Sequence, residues 1–419
     1  MSRSRLEACV CWRRCCIRFG GQKAGQRLRV GTQPPTSATK ISNMRPSIDV
    51  VVPCYNYAHY LENCVQSVLS QEDVDVRVLI IDDVSKDNSV EVAERLAAAD
   101  SRVSVLKHTV NKGLVGTAND GVIDWATAKY TLLLSADDAL TQGALRRAAS
   151  VMDAHPDVAV AYGMALVISD NTDMTPVDDA RVFDYKIISG NDFIERACTS
   201  WCGVASPTAL IRTSAQHEVG GLDPRFPQTC DMEIWLRLAT RANVAALSTT
   251  QAYYRRHDAN MSSITTDQPL SDLREQLETV VAVLTDWGKN LASTPRWLDV
   301  IHKRVAVQAC WKAGLAFQND NVSGGMTCLE FAKTASPAIT KSAPWMRAQA
   351  KRLLGGKLVR LMRGGTVSST HSFTPFYRGK LFGWWPTESA ARSMTLPHQP
   401  PAGRQAVEEP FPAQRRSAR

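Results

Sequence analysis

The chain has 419 residues, 44% of them hydrophobic, enough for one large folded unit or two ordinary ones, which sets aside disordered and fibrous classes. Its formal net charge of +8 is confined to one end: residues 1–43 hold nine Lys or Arg against one acid, Glu7, so the remainder is neutral. That distribution excludes a basic nucleic-acid-binding surface on the folded part. No apolar run reaches the roughly 20 residues a bilayer crossing needs.

Residues 1–43 have four cysteines (Cys9, Cys11, Cys15, Cys16), scattered arginines and no sustained periodicity. They read as a disordered or mis-called extension before Met44, with a transit peptide or a metal cluster in CVCWRRCC as lesser alternatives. From Ser47 the pattern alternates. IDVVVP (48–53) reads as a buried strand, Tyr57 to Ser70 as a helix with Leu61, Val65, Val68 and Leu69 on one stripe, and VRVLIID (76–82) as a second strand. A helix from Ser89 to Ala99, a strand VSVLKH (103–108), a helix from Ala118 to Trp125 and a strand YTLLLS (130–135) follow. Beyond residue 155 come the strand-like AVAYGMALVI (159–168), a loop at 170–190, a helix DMEIWLRLATRA (231–242) and an extended VAALSTTQAYYRRH (244–257). Residues 268–340 read as helices, and the last 80 lose periodicity into Pro, Ser, Gly and Arg. The seven cysteines after Met44 are dispersed, as for reduced thiols in the cytoplasm.

Near-continuous apolar strands alternating with helices imply a mostly parallel sheet covered on both faces. Ligands bind such sheets beyond the carboxyl ends of the strands. Three polar clusters fall there: Pro53 to Tyr57, Asp82–Asp83, and Asp137–Asp138 in LLLSADDAL (132–140). No comparable cluster is read at the opposite edge. Adjacent carboxylates at the end of so apolar a run repel each other, which a cation or a polyhydroxy ligand would explain. The plainer reading is that Asp138 caps the following helix.

Read in order, VVPCYNYAHYLENCVQSVLSQ, IDDVSKDNS, NKGLVGTAND, SADD, DMEIWLRL and YRRHDANMS resemble the family 2 glycosyltransferases over residues 47–260. These are inverting enzymes with a GT-A fold that use nucleotide-diphospho-sugars. The resemblance implies an α/β, Rossmann-like GT-A domain at 44–265, followed by a helical region at 266–340 and a basic, largely irregular tail at 341–419. It places Pro53 and Tyr55 beside the nucleotide, Asp82 on the base or ribose, and Asn111, Gly113 and Asn119 in the loop around the nucleotide. Asp137 would contact the ribose or sugar. Asp138 would hold a divalent metal, Mn2+ or Mg2+, with His257 on the diphosphate or completing the metal shell. Asp231 matches the general base; at a helix amino end it should stay ionised with a lowered pKa. Glu233 is the fallback base, and Trp235 reads as core. Two positions depart from the family pattern: Ser135 and Cys230 stand where acids are usual.

The function implied is transfer of a sugar from a nucleotide-diphospho-sugar to a hydroxyl of a saccharide or lipid-linked acceptor, in bacterial surface polysaccharide or glycolipid synthesis. The alternative is a non-catalytic sugar-nucleotide-binding or membrane-associated protein with a decayed site. A dinucleotide-dependent oxidoreductase is set aside because no G-x-G-x-x-G follows the first strand. PWMRAQAKRLLGGKLVRLMRGG (344–365) reads either as a solvated helix interrupted by Gly355 and Gly356 or as a basic amphipathic helix in peripheral contact with the cytoplasmic membrane face. FYRGKLFGWWP (376–386) would anchor at an interface or pack on the domain.

Overall fold

The computed structural model describes residues 45–169, 174, 177, 181–200, 202–257, 260, 270–363, 377–378 and 381–383. The expectations for 1–43, for the end of the tail and for most of FYRGKLFGWWP lie outside these residues.

Four strands form the parallel half of the sheet: β1 (Ser47–Cys54), β2 (Asp75–Asp82), β3 (Val103–Lys107) and β4 (Tyr130–Leu133), in the spatial order β3-β2-β1-β4. Their helices are α1 (Ala58–Leu69), α2 (Ser89–Ala99) and α3 (Gly113–Val122). β1 is buried at every position after Ser47, as expected of a strand covered on both faces. α3 starts five residues earlier than its apolar pattern indicates, because Gly113 adopts φ 68°, a turn conformation open to glycine that lets the helix begin at once.

A short β5 (Ala139–Leu140) and α4 (Ala144–Ala154) lead to the long β6 (Val158–Ser169). Next come β7 (Tyr185–Ile188), α5 (Gly190–Thr199), a 3-10 turn at Ser206–Thr208, β8 (Leu210–Arg212), α6 (Thr213–Val219), α7 (Cys230–Ala239) and β9 (Asn243–Arg256). β8 runs antiparallel between β4 and β6, so the sheet is mixed beyond β4. β9 pairs in parallel with β6 and antiparallel with β5 and β7, which carries its end back to the end of β4.

Four helices follow, α8 (Ser271–Asp286), α9 (Thr294–Gln318), α10 (Val322–Ala335) and α11 (Ala343–Arg363), with a 3-10 turn at Pro337–Lys341, and then two short strands, Tyr377–Arg378 and Leu381–Phe382, the second antiparallel to β6, so that this part of FYRGKLFGWWP packs on the domain. The helical region therefore continues beyond residue 340. α11 kinks at Gly355 (φ 72°). Trp297, Ile301, Val305, Ala309 and Phe317 of α9 share a buried cluster with Trp235 and Leu238 of α7, so this region and the sheet's far half form one core. Among the described residues no helix is long and apolar enough to cross a membrane. All seven cysteines from Cys54 to Cys328 are buried and free of disulfides.

The edge opposite the expected ligand end does hold a polar cluster, contrary to the sequence reading. Asp49, at the start of β1, is fully buried and accepts from Arg77 Nε at 2.8 Å and from the Thr127 and Ala128 amides at 2.7 and 2.8 Å. Every contact is to this chain's own backbone or side chains, so this carboxylate ties β1 and β2 to the turn before β4.

Candidate active site

The loops after β1 and β2 are joined residue by residue. Asn56, at φ 60°, donates its amide to Ser85 Oγ (3.0 Å) and accepts the Lys86 amide on Oδ1 (2.7 Å). The amides of Tyr57 and Ala58, at the start of α1, donate to Ser89 Oγ (3.2 Å) and Asp87 Oδ2 (3.0 Å). Pro53 pairs with Ile81 inside the sheet, while Tyr55 is 43% exposed at the mouth.

Asp82 and Asp83 are both buried but are arranged differently. Asp82 Oδ2 accepts from the Ser85 amide at 3.0 Å, whereas its buried Oδ1 has no hydrogen-bond partner among the described residues. A buried carboxylate oxygen left without a donor is costly in a resting protein and is the natural acceptor for a ligand N–H or O–H. Asp83 organises the next loop: Oδ1 takes His108 Nδ1 and the Lys112 amide, both at 2.8 Å, and Oδ2 takes the Gly113 amide at 2.9 Å. Asn111 braces the same loop, donating Nδ2 to the Asp83 carbonyl at 2.8 Å and accepting the Gly113 amide on Oδ1 at 3.1 Å. Asn119 faces elsewhere. Its Nδ2 donates to the Leu222 carbonyl at 2.9 Å and its Oδ1 accepts the Leu222 amide at 2.7 Å, clamping α3 to the loop before α7.

The end of β9 meets the loop after β4 at the carboxylate pair. Asp138 Oδ1 accepts the Arg255 amide at 2.8 Å, and Arg255 Nε donates to the Asp137 carbonyl at 2.8 Å. Asp137 Oδ2 lies 3.1 Å from His257 Nε2 and accepts Asn260 Nδ2 at 3.0 Å. Asn260 also accepts the His257 amide, at 2.5 Å, on its own Oδ1. The ring of His257 stacks on Tyr60, centroids 5.4 Å apart, and meets Tyr57 edge-on at 5.6 Å; the Arg255 guanidinium lies 4.6 Å over Tyr60.

Burial pushes both carboxyls of this pair upward. For Asp137 the His257 and Arg255 charges oppose the rise; for Asp138 the neighbouring Asp137 charge adds to it and the Arg255 amide opposes it. The same two carboxylates help burial to raise the Tyr57 phenol. Among the described residues, no three His, Cys, Asp or Glu side chains converge as a preformed metal shell. The donor set is nonetheless of the right kind, since two hard carboxylates with an imidazole suit Mn2+ or Mg2+, and a cation would relieve the repulsion that burial intensifies.

Asp231 approaches the end of β4 from the other face of the sheet. It lines a small cavity with Thr131, Leu133, Ser206, Gln216, Leu222 and Trp235. Leu132 and Leu134, which point the opposite way, pack in the cluster that holds Cys64 of α1, and the Cys64 thiol donates to the Ser135 carbonyl at 3.6 Å. The helix amino end does not control Asp231, contrary to expectation. Its Oδ1 accepts the Met232 amide at 2.6 Å, yet burial outweighs that bond and, with the Glu275 charge adding to it, pushes the carboxyl up to about 6. Glu233 is buried in an ion pair with Arg237 (Oε1–Nε 2.9 Å), and Arg237 also donates to the Val219 and Gly221 carbonyls at 2.6 and 2.7 Å. Trp235 is core, 3% exposed, as expected.

Sequence reasoning named Asp83 only as part of the Asp82–Asp83 cluster and gave neither it nor Asn260 a role of its own. The first is hidden behind its neighbour in an acidic dipeptide, and the second stands three residues beyond a histidine that attracts the attention.

Residues 49–216 match Glycosyl transferase family 2. Residues 49–216 therefore belong to that family. A glycosyltransferase of Nostoc sp., itself uncharacterised, is 30% identical to this chain over 217 residues, 51% of this chain and 66% of that protein. The Campylobacter jejuni GalNAc(5)-diNAcBac-PP-undecaprenol beta-1,3-glucosyltransferase is 32% identical over 101 residues, 24% of this chain and 32% of that enzyme. The chain thus spans less than two thirds of the length of these relatives. S. aureus TarS 1-349, solved in complex with UDP-GlcNAc, is similar in fold at 15% identity with TM-score 0.53, covering 81% of this chain and 99% of that one. The architecture of this chain is GT-A, an α/β sheet with a helical region after it.

Proposed function

We propose that the chain transfers a sugar, with inversion, from a nucleotide-diphospho-sugar to a hydroxyl of a saccharide or lipid-linked acceptor in surface polysaccharide or glycolipid synthesis. The observation that carries this reading is the meeting of the buried Asp137–Asp138 pair with Arg255, His257 and Asn260. It gathers hard oxygen donors and cationic groups at the strand ends of a family 2 domain.

In this reading Asp82 receives a donor hydrogen bond from the base or ribose on its open Oδ1, and Pro53 and Tyr55 border the nucleotide. Asn111 and Gly113 hold the neighbouring loop, and Asn119 fixes the approach of α7. A Mn2+ or Mg2+ ion held by Asp138, with Asp137 and His257 beside it, would neutralise the diphosphate as it leaves. The acceptor hydroxyl attacks the anomeric carbon as its proton passes to Asp231, and the bond to the diphosphate oxygen breaks with its electron pair going to that oxygen. A carboxyl near 6 is ionised at neutral pH yet basic enough to take a proton. Glu233, neutralised by Arg237, is left out of the chemistry.

The test is transfer of a radiolabelled sugar from a panel of UDP- and GDP-sugars, with and without manganese, preceded by a thermal-shift screen of the same panel. A donor that binds stabilises the fold in proportion to its affinity. Stabilisation by one donor together with manganese-dependent transfer supports the reading; binding with neither transfer nor hydrolysis would leave the non-catalytic alternative.

A further inference from the structure

Helix α11 packs on α9 by one face. Ala348 is buried, Lys351 Nζ donates to Gln318 Oε1 at 3.0 Å, and the Gly356 amide donates to Asp320 Oδ1 at 3.1 Å. The opposite face carries Met346, Ala350, Leu353 and Leu354, spaced i, i+4, i+7 and i+8, so they form one stripe. It is open to solvent: Leu353 is 84% exposed, Met346 61% and Leu354 46%. Single exposed apolar residues are ordinary, but a contiguous row of them marks an interaction surface.

Charge narrows the occupant. The α11 sequence holds Arg347, Lys351, Arg352, Lys357, Arg360 and Arg363 and no acid, although the chain after residue 43 is neutral as a whole. An apolar row on a helix of basic sequence, with Arg347 and Arg352 exposed, complements a bilayer with an anionic surface, whose acyl region receives Met and Leu while its headgroups meet Arg.

We propose that the Met346–Leu354 face of α11 docks this protein on anionic lipid. The inference rests on the acceptor being lipid-linked, for a docked enzyme then meets its acceptor in the plane of the membrane.

Full-length protein is sedimented with vesicles of phosphatidylcholine alone and of phosphatidylcholine mixed with phosphatidylglycerol. Binding is expected to the mixed vesicles only, to fall as salt rises, and to weaken about tenfold or more in Leu353→Gln/Leu354→Gln and in Arg347→Gln/Arg352→Gln. Both variants should keep the parent's melting temperature and nucleotide-sugar binding. Undiminished binding by either variant, or equal binding to neutral vesicles, overturns the proposal. So does a dimer in sedimentation velocity that the leucine variant abolishes, because the stripe would then belong to a second copy. Loss of nucleotide-sugar binding by the parent chain counts against the transferase reading and leaves the vesicle result intact.

Discussion

Asp231 is held between two opposing effects, a helix start that favours its negative charge and a burial that penalises it, and burial prevails. Its folded pKa rises from the ordinary 3.8 to about 6, so between those values the folded chain binds a proton that the unfolded chain does not. Stability contributed there is lost as pH rises through that window, and ionised Asp231 is a net cost at neutral pH. Asp231→Asn should therefore melt no lower than the parent at pH 7, with the difference shrinking as pH falls below the ordinary 3.8, where the Asp231 carboxyl is neutral in the folded and the unfolded chain alike. Its kcat should fall at least about a hundredfold, with donor affinity unchanged and the acid limb of the parent's pH–rate profile, centred near 6, no longer present. A variant that melts far earlier, or keeps full turnover, would make Asp231 structural. Asp138 is argued separately: Asp138→Asn removes a buried charge facing Asp137, so the fold should persist while manganese ceases to strengthen donor binding, as titration calorimetry with and without the metal would report.

Among the elements, α7 and the end of β9 have different duties. Glu233 and Arg237 lie one turn apart on α7 and bind each other, and Arg237 holds the Val219 and Gly221 carbonyls. Glu233→Ala should destabilise by about 3–5 kcal/mol in denaturant titration, the usual consequence of leaving a buried charge alone. Full stability with lost turnover would instead restore Glu233 as a base. At the end of β9, Asn260→Ala removes the donor to Asp137 and the acceptor for His257; donor KM should rise while the melting temperature changes little. The strands were legible because continuous apolar runs have few alternatives, and α2 falls on its expected limits, Ser89–Ala99. That Asp137, Asp138 and His257 gather at one edge was legible, but their pairing was not: which carboxylate meets His257 is decided by the β5–β9 register, a contact more than a hundred residues long. The raised pKa of Asp231 was hidden for the same reason, since helix position is local information and burial is not.

At the scale of the whole molecule, the described residues from Arg45 onward form one compact unit. A chain beginning at Met44 should melt and bind nucleotide-sugar as the full chain does, because the preceding residues carry charge without periodicity; a drop of many degrees would show otherwise. The family segment ends at residue 216, before Asp231, Arg255, His257 and Asn260. During synthesis the carboxylates at the ends of β2 and β4 therefore emerge long before the cations and amides that β9 brings to them. A chain stopping near residue 216 would carry Asp137 and Asp138 without β9, the strand that brings Arg255, His257 and Asn260 against them, so the pair is assembled only once the chain is made well past its family segment.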